Sequence, residues 1–438
     1  MAEHIEYSLD EKYEFSSGMR KNLVIALIVG LVLFAAGVAF LAFSGAGHHA
    51  AEHAAGGGGE HGYHWLTRVW ANLWLNGVFF TSIAVMGVLF LSIQYLAKAG
   101  WSALILRIPA AFGMYLPITG AVLLLVFLVG GHSLFHWTHA ELYQPGEGYD
   151  KLIANKAGFF FAPLEAGSFP FFWVLRLMLY FALWFVLYLQ IRKWHFGEDQ
   201  VENKLDTKYY DKATVSSAVF IVIFAVTSST SAWDWVMSID THWFSTMFGW
   251  YMFASGWVTS LAVMTITIIY LRENGYLKAV NENHLHDLGK FLFAFSIFWT
   301  YIWFSQFLLI YYANIPEETI YFNERLHGYD GVYAPLIVMN LIINFVFPFL
   351  FLMTRDAKRR EIFLKVAAWG IIIGHYLDFF VMIMPGTTGA NGGFFLTEIG
   401  TILVFASGFI WVTLNALSKK PLIAKNHPMI EESIYHNI

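Results

Sequence analysis

Ten apolar stretches, each about 20 residues or longer, constrain this chain more than any other feature. A helix needs about that length to cross roughly 30 Å of hydrocarbon. Inside lipid a lone spanning segment must satisfy its own backbone groups, which a helix does and an open strand or loop does not. The expected spans are residues 22–44, 69–95, 102–130, 170–191, 213–237, 247–271, 288–312, 333–354, 361–384 and 395–416. Composition agrees: 13% of the 438 residues are charged, against about 25% in soluble domains. The expected fold class is therefore all-α integral membrane, with about ten transmembrane helices. Residues 1–21 are expected to form a tail, 22–416 the membrane domain and 417–438 a second tail. The N-terminus is polar and acidic, and the first apolar run is long enough to span, so no cleavable signal is expected.

An even number of spans puts both termini on one side. Lysine and arginine then set the orientation. Arg107 and Arg176 lie within spans. Of the other 24 basic residues, 20 fall in the tails, the even-numbered loops or, for Lys290 and Lys365, the first residues of the spans that follow those loops. The odd-numbered loops hold only Arg68, Lys151, Lys156 and Arg325. Those loops are expected to face outward, with both termini cytoplasmic.

Several chemistries are excluded by residue type. There is no cysteine, which removes disulfides, Cys-ligated iron–sulfur clusters, thiolate haem and C-x-x-C-H attachment. No Walker A loop, H-E-x-x-H or G-x-S-x-G is present, so no ATPase or hydrolase is indicated. His375 is the one histidine within an expected span, too few for a bis-histidine b-type haem. A net charge of −5 gives no reason to expect a nucleic-acid partner.

The outward loops are the long ones. The first contains HHAAEHAAGGGGEHGYH, a Gly-rich linker with five histidines. The third, about 131–169, places His132, His136 and His139 at i, i+4, i+7. On one helix face these could hold a metal, though a polar interfacial helix is the simpler expectation. Aromatic-rich outer loops with few lysines could dock a partner, or could be solvated anchors.

Ionisable groups inside spans are costly, about 2.5–3.5 kcal/mol on insertion scales, and usually face a bundle interior with a partner. Here they favour the outer half. Arg176 lies in span 4, Asp234 at the outer end of span 5, and Glu398 at the outer start of span 10. His375 and Asp378 sit three residues apart on span 9, hence on one face. Thr227, Ser231 and Asp234 share a face of span 5, as Asn340 and Asn344 do on span 8. Tyr115 and Thr119 lie on span 3, Ser305 and Gln306 on span 7. Such residues line proton paths in pumps and transporters; neutral ones also serve as inter-helical glue at about 0.6 kcal/mol each. Pro109, Pro117 and Pro348 are expected to kink their spans and free carbonyls.

The stretch TSSTSAWDWVMSIDTHWFSTMFGWY, residues 227–251, joins spans 5 and 6. With the ten-span plan and the span 7 ending SQFLLIYYANIPEE, it resembles the membrane subunits of bacterial alternative complex III. These belong to the NrfD/polysulfide-reductase membrane-anchor family. That complex is a quinol:electron-acceptor oxidoreductase with two NrfD-like subunits, and the chain is most similar to the second. The resemblance implies a multi-pass protein of the bacterial inner membrane, with two four-helix bundles formed by spans 2–5 and 6–9. Spans 1 and 10 would flank them. It also implies partners: a multihaem cytochrome c, an iron–sulfur subunit, the paralogous NrfD-like subunit, small membrane subunits and, as a further candidate, a terminal oxidase. Haem c and iron–sulfur clusters would reside in those partners, with no redox cofactor in this chain.

The expected role is then proton translocation or structural coupling. Asp234, His375, Asp378 and Glu398 would relay protons in the outer half, with Arg176 tuning them. Asp240 and His242 would form the outer mouth, while Thr227, Ser231, Tyr115, Asn340 and Asn344 would line the path. Three alternatives remain: direct quinol binding at His375 and Asp378, a secondary transporter (for which inverted repeats are not visible), and a purely structural anchor.

Overall fold

The computed structural model describes residues 9–43, 64–201 and 206–437. The glycine- and histidine-rich linker between the first two spans lies, up to Tyr63, outside the described residues. Ten helices are long and apolar enough to cross a membrane. They are α1 Ser17–Phe43, α2 Trp65–Leu96, α3 Arg107–Leu134, α4 Phe171–Gly197, α5 Lys208–Trp235, α6 Met247–Glu273, α7 Glu282–Ala313, α8 Ala334–Phe351, α9 Glu361–Thr388 and α10 Leu396–Leu417. The chain is thus an all-α, multi-pass membrane protein. No strand forms among the described residues, and the single β-bridge joins Lys12 to Pro421. Asp10 also binds Lys425 at 2.8 Å, so the two terminal segments lie side by side. The membrane face that carries them is called the terminal side below, and the opposite one the far side.

Most helices begin or end a few residues beyond their apolar cores. α1 starts at Ser17, α4 runs on to Gly197 and α7 starts back at Glu282. His132, His195, His284 and His286 are therefore helical, which corrects the expectation that His375 is the one histidine on a spanning helix. His132 sits at the far-side end of α3 and the other three at terminal-side helix ends. Polar end-turns hydrogen-bond as well as apolar ones, so helical length exceeds apolar length.

α2 is the centre of the molecule and is buried along nearly its whole length. It packs against α3, α5, α6, α9 and α10. Further pairs are α3 with α4, α4 with α5, α6 with α7 and α9, and α8 with α9. α1 is apolar all round and mostly exposed, as suits a helix surrounded by lipid. It leans on α10 through glycines: a Cβ on Gly30 would come within 3.0 Å of the Gly400 carbonyl. Without a hydrophobic driving force in lipid, such close backbone approach is what lets dispersion hold two helices together.

Proline interrupts two spans as expected. α3 tightens into a 3-10 turn at Gly113–Tyr115, just before Pro117. α8 widens into a π-helical segment at Ile342–Val346, just before Pro348. The widened turn carries Asn344, and π segments often mark functional positions.

The three loop histidines do not share a helix face. α3 ends at Leu134, Phe135 is extended (φ −117°, ψ 103°), and a 3-10 turn follows at His136–Thr138. His132 Nδ1 meets the Thr138 hydroxyl at 3.0 Å, and His139 Nε2 meets the His132 carbonyl at 3.0 Å. Among the described residues no group of three or more His, Asp or Glu side chains is arranged to hold a metal ion.

The far-side loops close over the turn between α5 and α6. Lys156 donates to the Thr241 carbonyl at 2.6 Å, and Trp137 stacks on Phe160 at 4.0 Å to stiffen the loop that carries it. From the other side, a short helix, Pro316–Leu326, lays Tyr321 on Trp243 at 3.9 Å.

Candidate functional site

The ionisable residues of the far half fall into three separate clusters. Each is built differently, and the difference decides what each can do.

The first joins α4 to α5. Arg176 binds Asp234 through Nε (2.8 Å) and Nη2 (2.7 Å), a bidentate fork. Tyr180 donates to the same carboxylate at 2.8 Å. Arg176 also donates to the Phe159 carbonyl at 2.6 Å and lies over the Phe159 and Phe172 rings. Every strong site on both partners is used, so this pair is a clamp. Among the described residues Arg176 binds no other carboxylate, so it tunes Asp234 and not the whole set. Thr227 accepts from Trp184 Nε1 at 2.8 Å, and Ser231 returns to its own helix at Ser228. Thr227 thus ties α5 to α4, whereas the Ser231 bond stays within α5.

The second cluster joins α2 to α10. Glu398 accepts from Arg68 Nε (2.7 Å), Asn72 Nδ2 (2.8 Å) and the Phe395 amide (2.9 Å). The last bond also caps α10. Arg68 looked like a loop residue in the sequence, yet it opens α2 and neutralises the one acid of α10. Glu398 therefore does not join His375 and Asp378.

The third cluster is different in kind. Asp378, fully buried on α9, accepts from Tyr251 of α6 and, at 2.7 Å, from Asn340 of α8, both through Oδ1. Its Oδ2 accepts from Trp299 Nε1 of α7 at 2.8 Å. Four helices thus meet at one carboxylate, and all three donors are neutral. His375 Nδ1 stands 3.8 Å from Oδ2 and pairs with the Ser255 hydroxyl at 2.9 Å. Among the described residues no lysine or arginine pairs with Asp378. Two further buried atoms next to it bond nothing: His375 Nε2 and Asn344 Oδ1. The Asn344 amide itself bonds the Asn340 carbonyl oxygen, extending the set into the π segment. Buried polar atoms are nearly always satisfied by protein or water, so these two atoms are places where a water would bind.

A cavity of about 20 Å³ adjoins this cluster and is bounded by Tyr251, Asn340, Gln306, Tyr321 and Arg325. That is room for a water molecule. Gln306 Oε1, on its wall, also has no partner. Beyond it Arg325, buried to 1%, binds Asp240 at 2.7 Å. Burial opposes the Arg325 charge, but Asp240 outweighs it and raises the guanidinium above its ordinary range. Glu324 next to it is pushed up by burial. At the surface His242 meets Asp150 at 2.5 Å. Burial pushes the Asp150 carboxyl up, yet the His242 bond and the Ile153 and Leu152 amides outweigh it and hold it below the usual range. Asp240 and His242 therefore lie outward of Asp378 but in separate pairs. Tyr115, by contrast, sits on the α10 side, donating to the Phe405 carbonyl at 3.2 Å.

One buried group on the terminal side left no trace in the sequence beyond Arg107. Tyr95 meets both His195 Nδ1 and Glu198 Oε1 at 2.6 Å, and Arg107 forks onto Asp199 at 2.8 Å through Nη2. His195 and Glu198 looked like loop residues because the apolar run stops before them.

Comparison with protein-family models finds no match to this chain, and comparison with curated proteins finds none either.

Proposed function

We propose that the chain is a proton-transferring membrane subunit whose working group is Asp378. The observation that carries this is the donor set: a fully buried carboxylate held by three neutral donors and, among the described residues, no lysine or arginine. Asp234 and Glu398 are each tied to an arginine, and protonating either would strand a buried cation. Asp378 can gain or lose a proton without breaking an ion pair. Tyr251 supplies the transfer geometry. Its hydroxyl passes its proton to Oδ1 as its oxygen takes one from a water in the adjoining cavity that has itself picked up an excess proton from outside, so that the water is left neutral. Asn340 and Trp299 keep the carboxylate fixed throughout, and His375 is a second acceptor within 3.8 Å. The route outward runs past Arg325 and Asp240.

Within this reading α2–α5 and α6–α9 act as two four-helix bundles flanked by α1 and α10. Both termini are cytoplasmic in a bacterial inner membrane. The subunit carries no redox cofactor of its own. It works beside a multihaem cytochrome c, an iron–sulfur subunit and a paralogous NrfD-like subunit of a quinol oxidoreductase, coupling protons to quinol oxidation in that paralogue.

A quinol site at Asp378 itself fits less well. The large apolar cavity, about 650 Å³, is lined on α9 by Trp369, Ile372, Ile373, Tyr376 and Leu377. At 100° per residue these lie on the opposite face of α9 from His375 and Asp378.

The test is Asp378→Asn in the assembled complex, with protons released per quinol oxidised as the readout. A lowered ratio with assembly intact is expected. An unchanged ratio would sink the proposal.

A further inference from the structure

A second feature lies on the terminal side, at the membrane–water boundary, and takes no part in the Asp378 path. Arg107, at the start of α3, is 2% exposed. Only its Nη2 is bonded, to Asp199; Nε and Nη1 have no partner. Its guanidinium stacks on Phe196 with 4.0 Å to the ring centroid. Arg192, one turn earlier on α4, lies over the same ring at 4.9 Å. Two guanidinium carbons therefore share one ring and are at most about 9 Å apart. Arg107, Arg192, Phe196 and Lys420 line one shallow cleft of about 10 Å³, open at the surface and floored by Ala110, Ala111 and Leu417.

Among the described residues the cations outnumber the acids there. Three cations face the cleft, Asp199 is the carboxylate bonded to one of them, and Glu198 acts on Arg107 through space. Neither Arg192 nor Lys420 has a carboxylate partner among the described residues. Like charges this close in a partly desolvated setting repel, and buried unsatisfied donors cost about 1–3 kcal/mol or more when charged. An anion with several acceptor oxygens would satisfy both. Guanidinium forks match phosphate geometry, and a Phe-backed pair of them favours a planar, bidentate grip. Basic clefts between spanning helices at this depth suit the phosphates of anionic lipids.

We propose that this cleft binds a phosphate-bearing anion, held by Arg107, Arg192 and Lys420. Two sources share that chemistry: the headgroup of an anionic phospholipid in the terminal-side leaflet, and soluble phosphate. The apolar floor lies where acyl chains begin.

The full chain is purified, delipidated in neutral detergent and exposed to phosphatidylglycerol, phosphatidylcholine or inorganic phosphate, with retention read by native mass spectrometry and thermal shift. Arg192→Gln/Lys420→Gln removes two half-buried or exposed charges and leaves the buried Arg107–Asp199 pair in place. Lys278→Gln/Arg360→Gln removes two exposed charges elsewhere on the same face. Phosphatidylglycerol is expected to be retained over phosphatidylcholine, and the cleft pair to weaken that about tenfold or more, as loss of charge-assisted bonds does. The Lys278/Arg360 pair should change it less than twofold. Binding of inorganic phosphate alone, lost in the cleft variant, would support the site and identify a soluble occupant. Equal loss in both double variants, or equal retention of phosphatidylcholine, would overturn the proposal.

Discussion

The contrast between Asp234 and Asp378 is measurable as stability. Replace each with asparagine, which keeps shape and removes charge. At position 234 the change leaves Arg176 facing an amide, with its side chain only 11% exposed. Breaking a buried pair by removing one charge costs about 3–5 kcal/mol. At position 378 no cation is stranded. Tyr251 and Asn340 can still donate to the amide oxygen, but the amide NH2 then faces the Trp299 indole N–H, donor against donor. The amide can instead turn, so that its oxygen accepts from Trp299 and its NH2 donates to the Tyr251 oxygen, which leaves one buried donor, the Asn340 amide, unmet at about 1–3 kcal/mol. Asp378→Asn should therefore be the milder change by about 2 kcal/mol, the difference between those two ranges. Reversible unfolding in mixed micelles at neutral pH, titrated with a denaturing detergent, reads both variants against the wild type. If Asp378→Asn costs as much as Asp234→Asn or more, Asp378 has a cationic partner, and the reasoning about its neutral cage fails.

Three further outcomes are expected. His427, in the C-terminal segment, is lowered to about 4 by burial and by Arg107, from an ordinary 6.5. The unfolded chain then takes the proton first. Stability should fall by about 3 kcal/mol as pH drops from 6.5 towards 4, and unfolding midpoints at pH 7.5 and 4.5 should show His427→Gln losing less. Gly374→Ala puts a Cβ 2.6 Å from Ile343 Cγ2 and against the Asn344 amide. It should cost about 1–3 kcal/mol and lower proton release with it; wild-type stability and release would remove Asn344 from the path. Glu398→Gln leaves Arg68, 14% exposed, without its acid, so a loss of about 3 kcal/mol is expected in the same micelle assay, with proton release per assembled complex unchanged.

The resemblance-bearing stretch, residues 227–251, shows how far local reading goes. Its aromatic and acidic pattern places Asp234 inside a span and Asp240 and His242 in a turn, and the helices end where that pattern predicts. What the stretch does not reveal is that Asp234 is a clamp, since Arg176 lies 58 residues away in sequence. Nor does it reveal that Tyr251, which reads as one more membrane aromatic, touches Asp378 across 127 residues. Trp299 carries no signal either, because a tryptophan in a span is ordinary. Arg68 and Arg325 did leave a trace: they are two of the four basic residues counted in the odd-numbered loops, and both are paired to acids.

The sequence by itself determined the number of spans, their order, the helical class and the depth of each charge. Those follow from hydropathy and from the need to satisfy every backbone group within lipid, and both are local along the chain. Only the tertiary structure decided which charge meets which. Among the buried acids of the far half, partner choice depends on how helices distant in sequence rotate about their axes. That rotation is set by packing, by glycine contacts such as Gly30 on Gly400 and by the widened turn in α8. The same residue types thus became two closed ion pairs and one carboxylate held by neutral donors.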